Sequence, residues 1–222
     1  MKINVDKIYV CHWNKLVDRK SILLDQFIKF NIENEIEFVE DFEMENLSEC
    51  EYKSIYKNIF EFNSIINRFI KKSEISLFYK HIKILEDFKY KKYKSILVLE
   101  DDALFTNEFE NINSYLKDLP SDFDICWVGT CCNLKSNNIK DNKHFYKQNG
   151  SRCTHGFILN STIFDKVDVF GDTPICVADA YYNHLIDDGR YLNKVEGFRL
   201  NNYWMEPALI IQNNMFNTTI QK

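Results

Sequence analysis

The stretch Ser95-Ile96-Leu97-Val98-Leu99-Glu100-Asp101-Asp102 decides the fold. After Ser95, four residues of β-favouring, unbroken apolarity end abruptly in three carboxylates. Alternating apolarity marks a strand with one wet face; a continuous run marks a strand covered on both. It therefore predicts a sheet interior with helices above and below and parallel neighbours. Other segments support the pattern. Lys7–Cys11, Asp124–Val128 and His155–Leu159 are further short apolar runs, and Pro207–Ile211 is a last one. Ile36, Phe38 and Phe42 alternate with polar residues as a strand does. Between these runs lie segments of helical spacing: Ile22, Leu23, Phe27, Ile28 and Phe30; Ile55 to Phe69; Ile75, Phe78, Ile82 and Leu85, with Ser73 as cap and Glu74 in the first turn; and Asp179 to Ile186, closed by Asp187-Asp188-Gly189. The expected architecture is a single α/β domain, a doubly wound mixed sheet with helices on both faces. Asn133–Lys143, polar and without periodicity, reads as a mobile loop.

Composition narrows the class. The 222 residues are 45% hydrophobic and 27% charged, which excludes a disordered or collagenous chain. Six glycines and three prolines favour long regular elements over a turn-rich β-sandwich. The net charge of −5, with signs interspersed, leaves no basic face, so no nucleic-acid partner is expected. No run approaches membrane-span length, and the start, MKINVDKIYVCHW, lacks the apolar core of a signal peptide. The seven cysteines form no CxxC pair, so neither zinc spacing nor a disulfide framework is expected, and the cytoplasm is the expected compartment.

In open α/β sheets, ligands bind beyond the carboxyl ends of the strands, where Glu100, Asp101 and Asp102 stand. Adjacent carboxylates repel one another and raise each other's pKa unless a cation or hydrogen bonds compensate. A hard divalent ion, Mn²⁺ or Mg²⁺, shared with substrate phosphate oxygens would do so. In extended chain Glu100 and Asp102 share one face and Asp101 points away. The alternative is a capped turn closing an ordinary strand.

The strand and its triplet, ILVLEDDALF, resemble glycosyltransferase family 25, which contains lipooligosaccharide and collagen galactosyltransferases. Ser73 to His81, the turn from Asn14 to Lys20, Thr154–Ile158, Val177–Asp179 and Glu206–Gln212 resemble further family segments. Ser73, Ser76, Leu77 and Lys80 depart from the family's usual residues. The resemblance implies a GT-A fold and inverting transfer of a hexose, galactose or a relative, from a UDP-sugar to a glycan or protein hydroxyl. It implies a metal held by Glu100, Asp101 and Asp102, and a nucleotide-sugar and metal half over 1–130 with an acceptor half over 131–222. Asp179 is the expected base, with an N-cap as the competing role, and His155 is the second candidate; His81 buttresses the metal strand. His12, Trp13 and Asn14 are placed to meet uracil and ribose. Arg19 offers its fork to phosphate, or pairs with Asp18 or Asp25. Trp127, Trp204, Tyr181 and Tyr182 are either stacking platforms or core. Two other readings stay open. A nucleotidyltransferase would need a glycine-rich phosphate loop, yet no glycine precedes Gly129. The other is a nucleotide- or sugar-binding domain without turnover.

Overall fold

The computed structural model describes residues 1–48, 70–129, 144–147, 150–151, 153–170, 176–186 and 200–213, and every structural statement concerns these. In chain order the strands are β1 (Lys7–Cys11), β2 (Ile36–Val39), β3 (Ser95–Glu100), β4 (Ala103–Phe105), β5 (Ile125–Gly129), β6 (Phe145–Lys147), β7 (Gly156–Asn160), β8 (Asn202–Met205) and β9 (Ile210–Gln212). The helices are α1 (Val17–Lys29), α2 (Lys72–Lys91), α3 (Ile112–Leu116), α4 (Ile163–Lys166) and α5 (Ala178–Ile186). The main sheet has the order β2-β1-β3-β7-β5-β8-β6, and β4 pairs with β9 in a small second sheet. This is a single mixed α/β domain. The helix expected from Ile55 to Phe69 and the loop from Asn133 to Lys143 lie outside the described residues.

The unbroken apolarity of residues 96–99 has a direct cause. Ile96 and Val98 enter one core with Phe78, Leu85 and Phe88 of α2 and Tyr181 and Tyr182 of α5. Leu97 and Leu99 enter a second core with Leu23 and Phe27 of α1. Successive side chains thus feed opposite faces, and all four are fully buried. Each such burial contributes about 1.5–3 kcal/mol before chain entropy is counted.

Direction differs from expectation. β3 runs parallel to β1 but antiparallel to β7. Cover on both faces comes from the helices and the second core, so it does not require parallel neighbours. On α1, Leu23 and Phe27 are buried while Ile28 is 76% exposed, so the buried face is narrower than the spacing suggested. On α2 the helix begins two residues earlier than Ser73 would place it, capped at Lys71: Glu74 reaches back to accept the Lys71 backbone N–H at 2.9 Å, which leaves Ser73 to line a cleft.

Candidate active site

β1 and β3 lie side by side and parallel, with Cys11 opposite Glu100. The residues following each strand therefore emerge together at one edge of the sheet. A cleft opens there, walled by His12, Trp13 and Arg19 after β1, by Met44 after β2, by Ser73, Ser76, Leu77 and Lys80 of α2, by Glu100, Asp101 and Asp102, and by Gln212 of β9. Expected nucleotide-side and metal-side residues thus share one cavity. The four departures from the family pattern line it as well.

The three carboxylates have different surroundings. Glu100 has 17% of its side chain exposed and lies 4.0 Å from His81 Nε2. The Thr154 hydroxyl donates to its Oε1. Burial, followed by the charge of Asp102, pushes its pKa up to about 8. Asp102 accepts the Gln212 amide at 2.9 Å through Oδ2, while its Oδ1 is buried with no hydrogen-bond partner. Burial raises its pKa too. Asp101 is differently employed: Oδ1 accepts Arg19 Nη1 at 2.7 Å, and Oδ2 accepts His12 Nδ1 at 3.0 Å and the Trp13 backbone N–H at 3.3 Å. Arg19 thus pairs with Asp101 and lines the cleft as expected.

The remaining candidates are also placed. Asn14 donates its backbone N–H to Glu43 Oε1 at 3.3 Å, and Trp13 its indole N–H to Glu45 Oε2 at 3.3 Å. Asp179 lies in the first turn of α5, where its Oδ1 accepts the Ala180 N–H at 2.8 Å. Its charge is close enough to contribute to the raised Glu100 pKa. His155 is 1% exposed and does not line the cleft; its ring is wedged against Gly129, and burial lowers its pKa to about 4. His81 buttresses from below. It is fully buried, stacks on Phe157 and meets the Tyr182 hydroxyl at 3.3 Å, with a pKa lowered by burial to about 3. Trp127, Trp204, Tyr181 and Tyr182 are all core.

Sequence reading missed Met44 and Gln212 as walls, and it missed the partner of Lys80. Lys80 is buried and pairs with Glu43 at 3.2 Å. A lysine departing from its family's serine was the available signal for it, and Gln212 closes one of the quoted segments. Cys131 and Cys132 lie outside the described residues. Cys153 is disulfide-bonded, contrary to expectation, because spacing along the chain does not report which thiols meet in the fold. Cys11, Cys126 and Cys176 are free and buried. Among the described residues no helix is long and apolar enough to cross a membrane, and no three His, Cys, Asp or Glu side chains converge to hold an ion by themselves.

Residues 5–168 match the model of glycosyltransferase family 25, described as an LPS biosynthesis protein. The chain belongs to that family and is a glycosyltransferase, which brings with it a sugar donor and an acceptor. Among solved structures it is similar to A197 from STIV at 10% identity, covering 89% of this chain and 80% of that one with a TM-score of 0.40. It is also similar, at 12% identity, to a glycosyltransferase involved in glycosylation of the major capsid of PBCV-1, covering 72% of this chain and 61% of that one with a TM-score of 0.35. No curated protein matches it.

Proposed function

We propose that the chain is a GT-A-type, inverting transferase that moves a hexose, galactose or a relative, from a UDP-sugar to a hydroxyl of a glycan or protein. Mn²⁺ or Mg²⁺ is the proposed cofactor. The observation that carries the metal is the unpartnered, buried Oδ1 of Asp102 beside Glu100, a carboxyl whose pKa is raised. Buried carboxylate oxygens without donors are what a cation satisfies. Glu100 and Asp102 would hold the ion, with substrate phosphate oxygens completing the shell, the sparse protein coordination these ions accept. When bound, the ion neutralises the departing diphosphate.

His12, Trp13 and Asn14 form the proposed nucleotide side. Asp179 is the proposed base, accepting the acceptor hydroxyl's proton as the sugar is attacked from the face opposite the leaving group. His155, buried and turned toward Gly129, is not assigned that step.

Thermal stabilisation by UDP, with and without Mn²⁺, tests the reading. Stabilisation that requires Mn²⁺ and vanishes in Asp102→Ala supports it. Metal-indifferent binding would instead indicate a nucleotide-binding domain without turnover, and unaltered binding by Asp102→Ala would remove the metal assignment.

A further inference from the structure

The middle residue of the triplet behaves unlike its neighbours. Asp102 leaves one oxygen without a donor, whereas both oxygens of Asp101 are engaged. Its three donors come from one short region: the His12 ring, the Trp13 backbone and the Arg19 guanidinium. Arg19 sits on α1, and His12 and Trp13 sit in the turn that joins β1 to α1. The Asp101 side chain is only 10% exposed and that of Arg19 only 8%, so this is a buried, charge-assisted anchor rather than a surface ion pair. An ionised carboxylate can only accept, so it fixes His12 with its proton on Nδ1.

We propose that Asp101 is not a cation ligand but the positioning residue that holds the β1–α1 turn, and with it Trp13, as a wall of the donor cleft. This rests on the donor reading above. The triplet then divides its labour: Glu100 and Asp102 face the ion, and Asp101 ties the loop that would receive the nucleotide to the strand that would receive the metal. Strand alternation, expected from the sequence, does not produce this: β3 ends at Glu100, and Asp101 and Asp102 lie in the turn before β4, where Asp101 meets the β1–α1 turn. Arg19 acts through Asp101 and is a positioning residue as well, rather than a phosphate fork.

Trp13 supplies a readout that needs neither ligand. Trp127 and Trp204 are 0% and 1% exposed, so they stay dark to a neutral collisional quencher, whereas Trp13 is only partly covered. In Asp101→Asn, acrylamide quenching of tryptophan fluorescence rises about twofold or more as the turn loosens, because a charge-assisted anchor is lost. Manganese uptake without nucleotide, read by paramagnetic resonance, stays within about twofold of the parent. UDP affinity at saturating Mn²⁺ falls about tenfold, the usual scale for losing hydrogen bonds to a charged group. In turnover, the donor KM rises while kcat is kept. Arg19→Gln repeats the quenching change from the other side of the pair and guards against a misfolded first variant. Asp102→Asn is the control that loses manganese. Unchanged Trp13 quenching in both anchor variants overturns the proposal, as does loss of manganese from Asp101→Asn as complete as from Asp102→Asn. If the parent takes up neither UDP nor manganese, the donor reading fails, and the quenching still decides whether Asp101 holds the turn.

Discussion

Metal uptake should release a proton. Glu100 has its pKa pushed up to about 8 by burial and by the charge of Asp102. At pH 7 such a group is about nine-tenths protonated, and at pH 6 almost wholly so. A cation binds the carboxylate, so it must displace that proton. Manganese affinity should therefore rise about tenfold per pH unit from 6 to 7, bend near 8 and level above it. At pH 7 close to one proton, ~0.9, leaves per ion bound. Titration calorimetry in two buffers of different ionisation heat reads that number directly, because the buffer takes up whatever the protein releases. Stability of the metal-free protein follows the same carboxyl with the opposite sense. A raised pKa means the folded state keeps a proton that the unfolded state loses, so Glu100's contribution is complete below its ordinary value near 4.5 and is lost as pH rises through 8. His81 and His155 work oppositely. Their lowered pKa values stabilise the fold above the ordinary histidine value of 6.5, and that contribution is lost as pH falls toward 3 to 4. Between pH 6.5 and 8 the declining carboxyl contribution is not masked by them. In Glu100→Gln the pH slope of manganese binding flattens along with its affinity. Flat affinity between pH 6 and 8 in the parent, with no buffer-dependent heat, would refute the reasoning.

Two further perturbations probe the shell and the chemistry. A Cβ at Gly129 would stand 2.7 Å from His155 Cδ2 and 2.8 Å from both His155 Nε2 and the Ile210 carbonyl. Gly129→Ala should therefore cost about 1–3 kcal/mol of overpacking, which for this size lowers the melting midpoint by roughly 2–12 °C; a midpoint within a degree of the parent would mean that the ring and carbonyl yield freely. Asp179→Asn should keep donor affinity and lower kcat strongly, about 10²-fold or more for loss of a general base; steady-state kinetics with unchanged kcat would remove Asp179 from that role.

Much of the fold was legible because local pattern and burial coincide. Ile96–Leu99 announced its two cores, and Ile8–Cys11 is buried at all four positions as its continuous apolarity implies, while Lys7 is buried against Glu35 and Glu37. What stayed hidden depends on long-range pairing. Asp101 meets Arg19 and His12 across 82 and 89 positions, and Lys80 meets Glu43 across 37. None of these separations leaves a periodic trace. Lys80 illustrates the cost of judging by residue type alone: a lysine on an amphipathic helix suggests solvent, yet a carboxylate from the segment after β2 supplies the partner that lets it be buried. β8 was missed for a similar reason. Its residues Asn202-Tyr203-Trp204-Met205 are all buried, but Asn202 at its start is polar and is satisfied by the Trp127 indole N–H, a partner 75 positions earlier.

Strand direction explains why the acidic edge carries a hydroxyl that the sequence could not place. In an all-parallel sheet the neighbour of β3 would bring its own carboxyl end beside Glu100. β7 runs the other way, with Gly156 opposite Leu99, so its beginning arrives there instead. The Glu100 backbone N–H donates to the His155 carbonyl at 3.3 Å, and Thr154 one residue earlier donates its hydroxyl to the Glu100 side chain. A donor is thereby supplied to the carboxyl that burial and repulsion disfavour as an anion, and that hydrogen bond works to lower a pKa which desolvation raises. The antiparallel insertion of β7 therefore tunes the acidic group as well as joining β3 to β5. Its effect belongs to topology, since Thr154 and Glu100 are 54 positions apart and neither segment alone records that they meet.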